Sequence, residues 1–322
     1  MTRKYRNHGT ETGFRHRSGQ RAIIAGPSPA GPPMPFLIVS VLFSVLVGVL
    51  LKLAQRRGLG MVPVILGNYA AALLLCFATL DPPLARLGEA GTPWLSLALL
   101  MVLLPGIFLA MAASVRAAGI ARTDVAQRLS LVVSLGAAFL FFGEAANAGK
   151  LAGLLLGLIA IAGIVSRPRA GDTGPGNGAR ARWLLPLTVL LGYAAVDILL
   201  KRIAVAGTPF AASLAIAFAG ALACMLALQA ARWLRGSRGR DVGALLAGLL
   251  VGACNFANIL FYIKAHQALP ASPAVVFATM NLGVVVLGTL VGTFAFGEKL
   301  SRLNWLGIVL AVASVGLIAA SL

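Results

Sequence analysis

The sequence predicts an all-α membrane protein whose ten transmembrane helices form two inverted five-helix repeats. Of its 322 residues, 59% are hydrophobic and 11% are charged, whereas a soluble domain carries about 25% charged residues. Ten apolar runs follow one another, and a polar segment at 167–182 leaves five of them on each side. Because five is an odd number, the second half has to enter the membrane from the opposite side, which is the plan of an inverted repeat.

The charge balance is strongly basic, with 27 Lys and Arg against 9 Asp and Glu and a net charge of +18. These cations lie in the gaps between apolar runs and in the N-terminal tail, which favours solvated loops and contacts with anionic lipids over nucleic acid. The three cysteines, Cys76, Cys224 and Cys254, lie inside apolar runs without the spacing of a metal site. We therefore expect membrane lipids as partners, and no nucleic acid, metal or cofactor.

The chain begins with a polar tail. Residues 1–33 are basic and rich in Gly and Pro, a composition that predicts disorder. No cleavage site of a secretory signal follows the tail. The apolar part begins abruptly at Met34, as a translation start would, so we hypothesise that the native protein begins there.

Ten apolar runs supply the predicted membrane spans, since about 20 helical residues at 1.5 Å each match the ~30 Å hydrocarbon core of a bilayer. The runs lie at 36–53, 61–80, 93–115, 123–142, 150–166, 183–200, 209–230, 242–263, 272–296 and 303–321. Short gaps between most of them predict antiparallel neighbours. The linker at 167–182 therefore separates a first repeat at 34–166 from a second repeat at 183–322.

The two halves also match in sequence. At a shift of 149 residues, LLK at 50–52 falls on LLK at 199–201, and Gly58 falls on Gly207. Each match is short, but the shift is the same for both. This agreement favours a duplicated unit, with a solute path at the interface between the repeats.

The fourth apolar run contains a polar face. Asp124, Gln127 and Arg128 lie three and four residues apart, which places them on one side of a helix. A charged residue at membrane depth usually faces protein or water. These residues are candidates for solute binding. In the alternative, Arg128 reaches the membrane surface or pairs with Asp124.

Other polar residues lie inside or at the ends of spans. Asp197 and Lys201 are four residues apart, which suits either an ion pair or a proton-coupling site. Lys52 ends the first span as a membrane-surface anchor or as a second cation for the solute. Five further candidates for solute contact, or for hydrogen bonds that hold helices together, are Asn68, Tyr69, Asn255, Asn258 and Asn281.

Small residues recur at GxxxG spacing in three predicted helices. These spacings permit close helix packing, within one chain or in a homodimer. The glycines are Gly149, Gly153 and Gly157, then Gly248 and Gly252, and finally Gly288 and Gly292.

Four segments resemble EamA-type carriers of the drug/metabolite transporter superfamily. They are NYAAALL (68–74), AQRLSLVVSLGAAFLFFGE (126–144), NFANILFYIKAHQAL (255–269) and VVFATMNLGVVVLGTLVGTFAFGEKLSRLNWLGIVLAVASVGLIA (275–319). The resemblance implies ten helices and movement of small organic solutes across a membrane. One residue departs from it, because Ser134 stands where such carriers have Pro.

We therefore expect a secondary transporter in a membrane, with the bacterial inner membrane as its expected location and no enzymatic activity. The chain lacks HExxH, GxSxG and phosphate-loop motifs, so a membrane enzyme is the weaker rival, and a non-transporting membrane scaffold is the other. The resemblance implies cytoplasmic termini, whereas the loop cations predict the opposite orientation. An anionic or zwitterionic solute is favoured by the cations Lys52, Arg116, Arg128, Lys201 and Lys264.

Overall fold

The computed structural model describes residues 33–89, 91–118, 123, 126–127, 129–130, 133–134, 147–165, 179–236, 241–269, 273–296 and 301–320. Within these ranges, all regular secondary structure is helical. Several predicted features lie outside the described residues, namely the tail up to residue 32, Asp124, Arg128 and the part of the linker at 167–178.

Nine helices are complete enough within the described ranges to be given bounds. They are α1 (Pro33–Arg56), α2 (Met61–Leu80), α3 (Trp94–Ala118), α4 (Ala148–Val165), α5 (Ala179–Val205), α6 (Phe210–Leu234), α7 (Asp241–Ala268), α8 (Pro273–Phe296) and α9 (Arg302–Ala320). A short 3-10 helix, Leu84–Gly88, precedes α3. The described residues of the predicted run at 123–142 are helical as well.

Every helix with bounds overlaps a predicted apolar run, and one of them begins inside the predicted linker. The sequence placed the linker at 167–182, whereas α5 already begins at Ala179. The reason is that Ala and Arg favour helix, so the polar ARAR segment extends the apolar helix by about one turn beyond its hydrophobic part.

Six helices of the described chain contain an apolar stretch long enough to cross a bilayer. By length and composition these stretches are Met34–Arg56, Met61–Leu80, Trp94–Ala118, Trp183–Ile203, Phe210–Leu234 and Val242–Ala265. Helices α4, α8 and α9 contain the shorter apolar stretches Leu151–Ala160, Thr279–Val291 and Trp305–Ser314. All four tryptophans of the chain are more than half exposed near helix ends, as in the aromatic belts at membrane surfaces.

Contacts between helices define two ends of the bundle. At the Lys52 end, Leu51 near the end of α1 packs in one cluster with Ala244 near the start of α7. At the other end of α1, the ring of Phe36 stacks on Phe261 near the end of α7, with centroids 6.4 Å apart. The two helices are therefore antiparallel.

Lys201 lies at the end of the bundle opposite Lys52. Helix α2 returns from the Lys52 end, and its Cys76 thiol donates to the Ala211 carbonyl at the start of α6 (3.7 Å). The same start of α6 contributes Ala212 to a cluster with Ile203, which lies near the end of α5. The end of α5 with Lys201 therefore lies at this opposite end.

Glycines bring the backbones of α2 and α7 into direct contact. A Cβ atom at Gly248 would collide with the Val64 carbonyl oxygen, and one at Gly67 would collide with that of Leu245. Gly252 meets the backbone of Asn68 in the same way. The predicted packing role of Gly248 and Gly252 is thus confirmed.

The other predicted glycine ridges have different outcomes. In α4, a Cβ at Gly157 would lie 2.9 Å from Ser314 Oγ of α9, and the Ser314 hydroxyl donates to the Gly153 carbonyl at 2.5 Å. In α8 no described atom lies within 4 Å of the Cβ position of Gly288, so its packing in a homodimer stays a prediction. GxxxG spacing is a weak indicator by itself, since it does not fix which side of the helix faces a neighbour.

Candidate functional site

The two sides of α1 differ in what they expose. Leu42 and Leu46 lie one turn apart and are 50% and 41% exposed, as expected for a face that meets lipid. Ser44 and Gly48 each follow one of these leucines by two residues. At 100° per residue they lie about 200° around the helix, on its other side. Buried residues flank this other side of α1. Gly48 is exposed all the same, and no described atom lies within 4 Å of its Cβ position. Gly48 is therefore an exposed position on a side of α1 that otherwise packs against the bundle.

Helix α5 presents a matching stripe. Tyr193, Asp197 and Lys201 follow one another at four-residue spacing and are all half-buried. At the shift of 149 that relates the two halves, these three residues correspond to Ser44, Gly48 and Lys52. Both stripes end in a lysine, and the two lysines lie at opposite ends of the bundle.

Asp197 has a partner on the helical segment at 123–134. The Ser134 hydroxyl lies 2.9 Å from Asp197 Oδ2 and donates to it. Asp197 also interacts electrostatically with the Tyr262 side chain of α7. One turn before Asp197, the Tyr193 hydroxyl points at Met111 Sδ of α3, 3.6 Å away. The acid thus contacts the 123–134 segment and lies one turn from a contact between α3 and α5.

Two asparagines meet across the α2–α7 contact. Asn255 Nδ2 donates to Asn68 Oδ1 at 3.1 Å, and the two residues are 9% and 1% exposed. Among the described residues, neither Asn68 Nδ2 nor the Tyr69 hydroxyl has a hydrogen-bond partner. The Asn68–Asn255 bond suits the predicted alternative of a helix-holding amide, and in this conformation the two unpartnered donors are buried out of reach of a solute.

A second amide lies at the junction of α1, α7 and α8. The Ser40 hydroxyl is 2.9 Å from Asn258 Oδ1 and 3.4 Å from Met280 Sδ. Asn281, the next residue of α8, is half-buried. Gln127 is also half-buried, and its backbone carbonyl accepts from the Ser130 hydroxyl at 2.6 Å.

Cations lie at both ends of the bundle on helices that contribute to the site. Lys52 of α1 and Arg116 of α3 lie at one end, and Lys201 of α5 and Lys264 of α7 lie at the other. Lys264 Nζ is 5.5 Å from the ring centroid of Phe261, within the range of a cation–π contact. An anion that crosses the bundle would therefore meet positive charge at both ends.

Several residues of this site were not predicted from the sequence. Tyr262, Ser44 and Gly48 carry no motif, and Met111 resembles ordinary core. The correspondence between Gly48 and Asp197 follows from the repeat shift of 149 and was available in the sequence. The contact between Ser134 and Asp197 was not, because it depends on how two distant helices pack.

Stacked apolar helices, exposed leucine faces and tryptophans at helix ends define a multi-pass integral membrane protein. The sequence model of the EamA-like transporter family matches residues 183–320. A protein of Haemophilus influenzae, described as an uncharacterized protein, is 37% identical over 291 residues, which span 87% of this chain and 95% of that one. Residues 183–320, in the second half of the chain, belong to the EamA-like transporter family.

A solved structure, described as "Crystal structure of protein", has a similar fold. It superposes with a TM-score of 0.53 and 19% sequence identity. The similarity covers 93% of each chain. It therefore extends over both halves of this chain, including the first half, which the family model does not match.

Proposed function

We propose that the chain is a secondary transporter that moves a small organic solute by alternating access between two inverted five-helix repeats. The first repeat comprises 34–166 and the second 183–322, with a path between them. The observation that carries the proposal is the pair of matching stripes on α1 and α5. Both lie on helix sides flanked by buried residues, and each ends in a lysine at a different end of the bundle.

Helix pairing supports the inverted repeat. In an inverted repeat, a contact between one helix of the first half and one of the second recurs between the two helices that correspond to them. Helix α1 packs against α7, and α3 packs against α5, which is the exchanged pair. Likewise α2 packs against α7, and the corresponding helices α6 and α3 pack against each other. Helices α2 and α6, which correspond to each other, pack together, and so do α4 and α9.

Close contacts of glycines support the same symmetry. Gly252 meets Ala71, while Gly220 meets Met101. A shift of 149 takes Ala71 to Gly220, and a shift of 151 takes Met101 to Gly252. Each contact is therefore the counterpart of the other, with the two halves exchanged. The turn after α1 is a further feature to compare between the halves, and in it Gly58 has a φ of 68°.

Two further features repeat between the halves. Gly207, which corresponds to Gly58, ends α5 with a φ of 71°. Between α4 and α9, Gly157 meets Ser314 and Gly163 meets Gly307. A shift of 150 takes Gly157 to Gly307, and a shift of 151 takes Gly163 to Ser314, so these two contacts are also counterparts. Corresponding positions therefore have corresponding conformations, as a duplicated unit requires.

The charges favour an anionic or zwitterionic solute. Lys52 and Arg116 at one end, and Lys201 and Lys264 at the other, would attract a carboxylate from either side. Inside, the donors of Asn68 and Tyr69 have no partner among the described residues but are buried, so they would meet an oxygen acceptor of the solute only if these helices part during transport. Asp124, Gln127 and Arg128, with Asn255, Asn258 and Asn281, remain candidates for further contacts.

The test is exchange across liposomes that contain the purified protein. Vesicles are loaded with unlabelled succinate, glutamate or alanine, and the entry of the same labelled compound is followed. We expect exchange of at least one of these compounds, which cover dianionic, acidic zwitterionic and neutral zwitterionic chemistry. A membrane scaffold would give no exchange above that of protein-free vesicles.

A further inference from the structure

We propose that the headgroup of an anionic phospholipid binds at the Lys52 end of the bundle, between the turn after α1 and the end of α6. The arginines that hold it are Arg57 in the turn, Arg232 in the last turn of α6, and Arg235 directly after that helix. These three residues are called the headgroup surface. Their role concerns contact with the membrane, so it goes beyond the transport of a solute and does not depend on it.

Two separate elements bring the arginines of the headgroup surface together. A Cβ atom at Gly60, the residue before α2, would lie 3.9 Å from Arg232 Nη2, so this guanidinium reaches the turn between α1 and α2. Arg57 precedes Gly60 by three residues, a stretch of chain that spans at most about 11 Å. Arg235 follows Arg232 by about one helical turn. The three cations therefore form one patch, although they come from the two halves of the chain.

Neighbouring side chains place this patch at the depth of lipid headgroups. Trp233 is 58% exposed and Leu234 is 90% exposed, at the end of α6. Tryptophan is enriched where a membrane meets water, and an exposed leucine loses contact with water when it meets acyl chains. On α1, Leu53 is 38% exposed and lies one turn before Arg57. On both helices, exposed apolar surface thus gives way to arginine at the same end of the bundle.

Arginine in this position suits the phosphate of a lipid. Its planar fork of donors matches phosphate oxygens, and its long side chain can extend from apolar surroundings to the headgroups. Arg57 and Arg235 are exposed and Arg232 is half-buried, so a headgroup can reach all three. A basic residue near an anionic membrane surface strengthens binding by roughly fivefold. Three of them favour a lipid with a net negative charge, such as phosphatidylglycerol, over a zwitterionic one.

The experiment uses the purified full chain in neutral detergent, to which phosphatidylglycerol or phosphatidylcholine with the same acyl chains is added. Unfolding is followed through the buried thiols of Cys76 and Cys254, which react with a fluorescent maleimide once the chain unfolds. A ligand that binds only the folded chain raises the unfolding temperature. We expect phosphatidylglycerol to reach its half-maximal effect at a concentration at least about tenfold lower than phosphatidylcholine.

Variants test whether the headgroup surface causes this preference. Arg232→Gln removes one cation and should weaken the binding of phosphatidylglycerol roughly fivefold, whereas Arg232→Lys keeps the charge and should lose less. Combined replacement of Arg57, Arg232 and Arg235 by Gln should remove most of the preference. Arg202→Gln is the matched control, because Arg202 is an exposed arginine in the last turn of α5 at the opposite end of the bundle. It should behave like the unchanged protein.

Soluble anions separate a lipid site from a site for free phosphate. Inorganic phosphate and glycerol phosphate carry the chemistry of the headgroup without acyl chains. We expect them to raise the unfolding temperature much less than phosphatidylglycerol at the same concentration, because they gain nothing from the exposed side chains of Leu53 and Leu234.

Each outcome decides the matter. Equal effects of the two lipids on the unchanged protein overturn the inference, and so does an equal effect of soluble phosphate, which would assign the surface to a soluble anion. A loss in Arg202→Gln as large as in Arg232→Gln overturns it too, because net charge alone would then explain the preference. If the triple variant does not fold, the full preference in all three single variants overturns it. Failure of the exchange assay leaves these measurements intact, since none of them needs a transported solute.

Discussion

At the scale of single residues, polar groups in this bundle fall into two kinds. Some bridge two helices, as Asn255 does when it donates to Asn68, or Ser40 when it donates to Asn258. Others are partly exposed on helix sides flanked by buried residues, as Asp197 is. The first kind stabilises the fold and the second is available to a solute, so substitutions at the two kinds should have different effects.

The Asn68–Asn255 bond should contribute modestly to stability. Hydrogen bonds between membrane helices are worth about 0.6 kcal/mol on average. We expect a double-mutant cycle of Asn68→Ala and Asn255→Ala to give a coupling energy near this value, measured by unfolding in detergent. A coupling energy near zero would show that the amides do not hold the helices together.

Transport adds a second measurement at the same two residues. Asn68 Nδ2 has no partner among the described residues, so Asn68→Ala removes a free donor as well as a bond. If the α2–α7 contact opens during transport and frees this buried donor, Asn68→Ala reduces solute exchange more than Asn255→Ala, which removes only the donor of the bond. Equal losses would assign both residues to structure alone.

Arg128 remains the sharpest prediction from the sequence. A guanidinium presents a planar fork of donors that matches a carboxylate, and lysine keeps the charge without the fork. We expect Arg128→Ala to abolish exchange and Arg128→Lys to weaken it, with both proteins inserted at normal levels. If Arg128 only pairs with Asp124, the combined Asp124→Asn and Arg128→Ala variant should recover exchange.

At the scale of helices, α2 and α7 are held by backbone contact. Gly248→Ala would drive a methyl group into the Val64 carbonyl, and overpacking of this kind typically costs about 1–3 kcal/mol. Gly288→Ala is the matched control, because it has open space around its Cβ position and also lies within a GxxxG spacing. We expect thermal unfolding in detergent to show a large loss of stability for the first variant and little change for the second.

The positions of the helices could be predicted from the sequence, because apolar runs of membrane length determine them almost alone. The partners of each helix could not. Asn68 and Asn255 were both identified as candidates, yet their hydrogen bond depends on the close approach allowed by Gly67 and Gly248. Similarly, Ser134 was recognised as a departure from the family pattern, but only the packing of two helices brings it to Asp197.

At the scale of the whole molecule, the inverted repeat predicts opposite sides for successive loops. Reporter fusions placed after each span should alternate between the two sides of the membrane ten times. An even number of spans in the first half would contradict the repeat. A cysteine introduced into the linker, labelled with an impermeant reagent, should react from the side opposite the termini.

The contact between α2 and α7 also has a consequence for biosynthesis. Asn68 and its partner Asn255 are 187 residues apart in the chain. At a synthesis rate of about 5–20 residues per second, α2 precedes α7 by roughly 10–40 s. During that interval the amide of Asn68 and the groove around Gly67 face lipid or the insertion machinery. A nascent chain halted before α7 should therefore expose a polar helix to quality-control proteases, and release of the halt should protect it.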